Sequence, residues 1–334
     1  MPLHADFDAV SAGLPVAARP DRARTGPDGG PMIERTEDTT EPDVFDRFRP
    51  LLFTIAYEIL GSAADAEDVL QDSYLRWRDI DQDEVEHPRA YLVQIVTRQS
   101  LNQLRSARRR REDYVGNWLP EPIRTEHDAS HDVLLAESVS MAMLLVLETL
   151  SPTERAVFLL SEVFGHSLVE IADMIGKSDT TVRQIAHRAR EHVQARRKRF
   201  EPDADTNRAV LDRFLLAART GDVQNLMDVL APDVVQISDG GGKAIVAGRP
   251  ITGAAAVAGF LIKLAQHSMA GMVAEFGTFN ALPAILLRSE GGQLDTVLMI
   301  EIAGDRITGL YAVRNPDKLR SADVLRPLDR PQDV

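Results

Sequence analysis

Cysteine is missing from all 334 residues, which excludes disulfides, thiolate-bound zinc and cysteine nucleophiles. Aromatic residues are sparse at 5%, and Leu, Val, Ile and Ala dominate the apolar set, a composition that leans helical. No run approaches the roughly 18 to 20 uninterrupted apolar residues of a membrane span. The N-terminus has no apolar stretch of the kind a secretion signal needs. Glycine fingerprints of nucleotide cofactors and clusters of metal-ligand residues are lacking too, so neither cofactor nor metal is expected. These absences imply a cytoplasmic, redox-indifferent protein with no membrane partner. Basic residues are in deficit, 38 Lys and Arg against 51 Asp and Glu, for a net charge of −13.

An even spread of that charge would disfavour nucleic acid, but the charges are segregated. Asp65 to Glu86 is predominantly acidic. Arg98, Arg105 and the run Arg108–Arg111 form one basic block. Arg183, Arg188, Arg190, Arg196, Arg197, Lys198 and Arg199 form a second. A chain with separate acidic and basic faces can hold a basic protein with one and phosphates with the other.

The chain reads as six segments: a disordered extension over 1–40, a helical domain over 41–112, a linker over 113–132, a second helical domain over 133–200, an α+β domain over 205–320, and a tail over 321–334. Met32, near the end of the extension, is a candidate translation start. Val44, Phe48, Leu51, Leu52, Ile55 and Ile59 repeat at helical spacing until Gly61-Ser62. A second helix turns Ala66, Val69, Leu70, Ser73, Tyr74 and Trp77 inward and leaves Glu67, Asp68, Gln71 and Asp72 outside. A third begins at Pro88 and ends in the arginine run. Gly116, Pro120 and Pro122 break the linker, and a helical block follows over 133–150. After the second domain, β-like runs appear at 234–237, 244–246, 284–288, 296–302 and 307–313.

The most specific local signal is HSLVEIADMIGKSDTTVRQIAHRAREHV. Ser167 is placed to cap a short helix, Gly176 to turn the chain, and Ser178 to cap a second helix. On that helix Val182, Ile185 and Ala189 point to the core. Thr180, Thr181, Arg183, Gln184, His187 and Arg188 are left outside, with the chemistry of a DNA recognition helix: Arg and Gln pair bidentately with base edges, and Thr reaches phosphate or a thymine methyl. Upstream, DAEDVLQDSYLRW presents carboxylates on one face, and Arg98–Arg111 is a basic helix. Neither is specific alone; their order before a helix-turn-helix is what carries meaning.

That order resembles domains two and four of the extracytoplasmic-function sigma factors, over residues 42–200. The resemblance implies that the first two helices dock on the clamp helices of the RNA polymerase largest subunit, with Asp65, Asp68, Gln71 and Asp72 on the docking surface. It implies that Arg98, Asn102, Arg105, Arg108 and Arg109 face the minus-10 promoter element. The exposed residues of the recognition helix would read the minus-35 element. Asn102 departs from the family pattern, where Asp is more usual.

Three further strings narrow the match: YVGNWLPEP in the linker, DGGGK at Asp239, Gly240, Gly241, Gly242 and Lys243, and NPDKL at Asn315, Pro316, Asp317, Lys318 and Leu319. Together they resemble the sigma subgroup with a fused SnoaL-like (NTF2-like) cone. The resemblance implies that the cone replaces a separate anti-sigma factor, meeting a linker clamp of Trp118, Leu119 and Pro120 with Trp118 as buried anchor. An apolar cone also leaves room for a small-molecule ligand. Catalysis is not expected: His267 is the module's only histidine, and no spacing ties Asp295 or Glu301 to it. Two other readings stand beside this one: a metabolite-sensing helix-turn-helix regulator, and a SnoaL-like enzyme with a DNA-binding appendage.

Overall fold

Helix α1 (Val44–Leu60) starts where the Asp43 side chain accepts from Phe45 N and stops at Gly61. Helix α2 (Ala63–Arg78) is capped by Ser62, and α3 (Pro88–Glu112) carries proline in its first turn. This is a computed structural model, describing residues 43–125, 132–196, 204–268 and 271–331. The expected extension over 1–40, Met32, Arg197, Lys198, Arg199 and the side chains of Arg108, Arg109 and His267 lie outside the described residues.

The expected helical block over 133–150 is two helices, α4 (Val133–Ser138) and α5 (Met141–Glu148), because the Ser140 side chain caps a new start. Helix α6 (Pro152–Glu162) opens with a capping box between Ser151 and Glu154. Helix α7 (Leu168–Ile175) opens with another between Ser167 and Glu170. Gly176 takes a left-handed φ of 65°, and Ser178 then caps α8 (Asp179–Gln194). Each break sits where a side chain satisfies the orphan amides of a helix start. Helices α1 to α3 and α5 to α8 share one continuous apolar core, from Leu52, Ile55 and Trp77 through Leu144 and Leu160 to Val182 and Ala189.

The C-terminal module begins with α9 (Ala204–Thr220) and α10 (Val223–Val229). Strands β1 (Leu230–Asp239) and β2 (Ile251–Thr252), helix α11 (Ala254–Ser268), and strands β3 (Met272–Phe279), β4 (Leu282–Ser289), β5 (Leu294–Ala303) and β6 (Arg306–Val313) follow, then a final turn, α12 (Pro316–Leu319). The six strands lie in the order β2-β1-β6-β5-β4-β3, with only β1 and β6 parallel. The strand expected at 244–246 is irregular loop, and β3 carried no strong alternation to betray it.

Period-2 alternation divides the sheet between two cores. Ile285, Ile300 and Leu310 face α9, α10 and α11. Leu286, Met299, Tyr311 and Val313 face the other way, onto Leu119 of the linker and Met141 of α5. The sheet is thus sandwiched between its own helices and the helical domains. Leu119 is completely buried at that seam. Leu119→Ala is expected to cost about 2–5 kcal/mol through the cavity it leaves, read as a lowered urea midpoint with unchanged helical content.

Candidate functional site

Three surfaces and one seam make up the site. On α8, Thr180, Thr181, Arg183, Gln184, His187 and Arg188 are all exposed, while Val182, Ile185 and Ala189 fill the core beneath. Arg183 pairs with Asp179 at 3.0 Å and His187 lies 3.6 Å from Glu191, both in solvent. Such exposed pairs are weak and leave the side chains available to another partner.

On α2, Asp68, Gln71 and Asp72 are exposed, whereas Asp65 is half-buried and accepts from Gln103 Nε2 at 3.1 Å. On α3, Asn102 and Arg105 are exposed and hydrogen-bonded to each other. Arg98 is engaged elsewhere. Its Nε donates to Met174 O at 2.6 Å and its Nη2 to Asp173 O at 3.1 Å, at the C-terminal end of α7. A guanidinium there meets the negative end of the helix dipole. One of the basic residues expected to face DNA therefore fastens α3 to the helix-turn-helix.

The seam brings the three separate sequence strings together. The Asp239 carboxylate is fully buried. It accepts from Tyr114 Oη at 2.6 Å, Leu119 N at 2.9 Å, Gly241 N at 3.0 Å and Lys318 Nζ at 2.7 Å. Its backbone oxygen accepts from Arg314 N and Asn315 N. Asn315 donates to Tyr114 Oη at 2.8 Å, and Lys243 pairs with Asp317. Burial pulls Lys318 below the ordinary lysine range, with Asp239 acting against it. Burial, then the bond to Asp239, raises Tyr114. Gly241 has a φ of 57°, and a Cβ there would overlap the Asn315 side chain, so the middle glycine of DGGGK is needed for this closeness.

Trp118 is not the buried anchor expected. It is half-buried, with the Arg111 guanidinium 3.7 Å and Lys318 Nζ 4.4 Å from its ring centre. Leu119 and Pro120, which follow it, are buried. An indole between two cations is better served by its π-face than by apolar burial.

Two clusters escaped the sequence reading. At the β3–β4 hairpin tip, Asn280 is completely buried with a φ of 53°. Its amide donates to Tyr57 Oη on α1 at 2.6 Å and to Val139 O after α4 at 2.9 Å, and accepts from Ile123 N of the linker at 3.1 Å. Asn followed by a small residue between apolar runs is a hairpin signal and could have marked it. The second cluster is a buried charge relay. Glu148 pairs with both Arg111 of α3 and Arg155 of α6, and Arg155 Nε donates to Glu58 O on α1 at 2.8 Å. Burial alone would raise Glu148, but the two arginines hold it below its ordinary range. No local pattern in the sequence announces this relay.

A cavity of about 220 Å³ lies between α5 and the sheet, lined by Met143, Val146, Val235, Ile237, Glu301 and Tyr311. It lies on the sheet face opposite α9–α11, outside the cone where a ligand was expected. Among the described residues no group of acids and histidines could hold a metal, and no helix is long and apolar enough to cross a membrane.

Residues 44–110 match the family model of Sigma-70 region 2, and residues 140–193 match that of Sigma-70, region 4. Fold and matches together define a promoter-recognition factor of the sigma-70 type with an α+β C-terminal module. The ECF RNA polymerase sigma factor SigJ of Mycobacterium tuberculosis is 34% identical over 292 residues, covering 83% of this chain and 93% of the relative. The probable ECF RNA polymerase sigma factor SigI of the same species is 30% identical over 280 residues, covering 81% and 92%. The crystal structure of Mycobacterium tuberculosis SigJ superposes with a TM-score of 0.69 and 30% sequence identity, covering 84% of this chain and 98% of that one. The chain belongs to the extracytoplasmic-function RNA polymerase sigma factors.

Glu58 is expected to make the joint between the helical domains sensitive to pH. It is fully buried, with Oε1 accepting from Ser138 Oγ at 2.6 Å and Oε2 lacking a partner. Burial pushes its pKa up to about 8, against the lowering pull of Ser138 and Arg155. Separation of α1 from α4 and α6 returns it to water and to its ordinary 4.5. The closed form then binds the extra proton, so closure weakens as pH rises from about 4.5 to about 8 and levels off above. The slope expected is at most about 1.4 kcal/mol per pH unit. Hydrogen-exchange protection of α6 against pH should show this trend, and Glu58→Gln should flatten it.

Proposed function

We propose that this sigma factor is held shut by its own C-terminal module. As a member of its family, the chain binds core RNA polymerase and directs initiation at promoters. The exposed α8 residues read the minus-35 duplex. The α3 surface of Arg98, Asn102 and Arg105, with Arg108 and Arg109, grips the minus-10 element. The α2 residues Asp65, Asp68, Gln71 and Asp72 face polymerase.

Asn280 carries the regulatory reading. A single buried side chain of the module bonds α1, the segment after α4, and the linker between the two helical domains. Those domains must separate to span two promoter elements, and while Asn280 is seated they cannot. Arg98 adds a second hold, since its engagement with α7 excludes its use on DNA. The seam of Trp118 to Pro120, Asp239 to Lys243 and Asn315 to Leu319 fixes the module in place.

The module works by holding rather than by chemistry. The two acids considered for catalysis are in structural bonds, Asp295 with Arg314 and Glu301 with Tyr311. The acidic α2 face favours this reading over a DNA-tethered enzyme, which has no use for a polymerase-docking surface, and the basic helix Arg98–Arg111 favours it over a simple repressor, which would leave that helix unexplained. The cytoplasm, where polymerase acts, is the matching location.

Two outcomes test the proposal. Asn280→Ala in the full chain should raise the radius of gyration in small-angle scattering and raise transcription from the protein's own promoter several-fold. A compact, unstimulated variant of wild-type thermal stability would remove the latch. Separately, Arg183→Ala should weaken promoter binding by about 10- to 100-fold, the usual worth of a bidentate base contact, with little effect on affinity for core polymerase.

A further inference from the structure

The last described residues do more than end the chain. Ala322 is buried against the sheet, and Asp323 pairs with Arg288. Arg326 N donates to Arg124 O at 2.9 Å, Leu328 packs on the helical core, and Asp329 N donates to Thr54 Oγ1 of α1 at 3.1 Å. Arg330 pairs with Asp132. Residues 322–330 thus form a strap that leaves the module and crosses the first helical domain.

Midway along, the strap reaches α2. The Arg326 guanidinium pairs with Glu67 Oε1 and lies 5.1 Å from the centre of the Phe53 ring. Glu67 Oε2 is taken by Arg49. Beside this carboxylate runs a groove of about 450 Å³, lined by Phe45, Asp46, Arg49, Glu67, Gln71 and Tyr74. Asp68 and Asp72, exposed on the same helix, extend the acidic character past the strap.

We infer that the strap is an internal competitor: Arg326 occupies the place on Glu67 that a basic side chain of core RNA polymerase takes when the sigma factor docks. The inference rests on the reading of α2 as the docking face and deepens the account of closure. Charge and shape fit one kind of partner. Carboxylates around an aromatic floor bind a guanidinium through charge-assisted hydrogen bonds and the ring face together. Arg326 between Glu67 and Phe53 is that arrangement made within the chain.

The strap is also built to be displaced. Asp323, Val324, Leu325, Pro327 and Asp329 are exposed, so few buried contacts hold it. Arg326 Nε is buried without a partner, so the seat is not fully satisfied. Segments with few buried contacts open at small cost compared with global unfolding.

The test compares wild type, Arg326→Ala and Asn280→Ala, all full chain, measuring affinity for purified core polymerase by fluorescence anisotropy and the radius of gyration of the free proteins. Arg326→Ala is expected to bind core polymerase about tenfold more tightly while staying as compact as wild type. Glu67→Gln, which also frees the strap but removes the shared carboxylate, is expected to show no such gain. Unchanged or weaker binding by a compact Arg326→Ala protein overturns competition and leaves the Asn280 latch standing. Expansion of Arg326→Ala to the size of the Asn280→Ala protein also overturns it, because the strap would then act through the joint. A tenfold gain in Glu67→Gln would equally sink it, since polymerase would not be using that carboxylate.

Discussion

One buried carboxylate organises the molecule. Asp239 sits at the end of β1, where the sheet meets the linker, and four donors from three stretches of chain converge on it. A buried ion pair is a poor source of net stability, because desolvating Asp239 and Lys318 costs several kcal/mol per ion by general estimate. Its worth lies in selectivity. Only one placement of linker, DGGGK turn and NPDKL turn satisfies all four oxygen contacts, and any other leaves a charge unpaired in the interior. Removing either partner alone would strand the other, so the seam is held by all its members or by none.

Closure engages a group that the proposed function assigns to DNA. Arg98 caps carbonyls of α7 in the compact form, and the guanidinium that does so is one of the basic groups of α3. The hydrogen bonds between α3 and α7 are made by Gln94 and Arg98 on main-chain oxygens, and water can replace them when the two helices part. The apolar packing is deeper, where α1 meets α6. The α8 face, by contrast, is left open. On the proposed assignment of these surfaces, the compact form withholds part of the α3 surface and leaves the α8 surface exposed.

How much of this was legible in the sequence follows from the range of the interactions. The helix-turn-helix was readable residue by residue because Ser167, Ser178 and Gly176 act on their own neighbours through caps and a left-handed turn. The period of α1 and α2 gave their buried faces for the same reason. The seam was half readable: its three strings stood out, but nothing local said that Tyr114, Asp239 and Lys318 meet, since their partners lie some 80 to 200 positions apart. Trp118 was misjudged because an indole reads as apolar until two cations are found beside it. The Arg111–Glu148–Arg155 relay and the strap were illegible, for each consists of ordinary charged residues whose meaning is wholly tertiary. The run at 244–246 misled in the other direction, since Ala244, Ile245 and Val246 are apolar and partly β-branched like a strand while glycines just before them turn the chain.

The polar character of the joints has a consequence for switching. An interface closed by apolar area alone resists opening in proportion to that area, at roughly 25 cal/mol per Å². Here the module meets the helical domains through an apolar patch that includes Leu119, Met141, Met299 and Val313, and directional ties are set around it: Asn280 to Tyr57 and Val139, Asp239 to Leu119 and Tyr114, Arg326 to Glu67. Each tie is specific in direction but modest in net free energy once water is allowed to compete. Such a joint defines the closed arrangement more sharply than apolar area alone would. A partner that offers equivalent bonds to only a few of these groups can then shift the balance, because the closed form depends on their acting together.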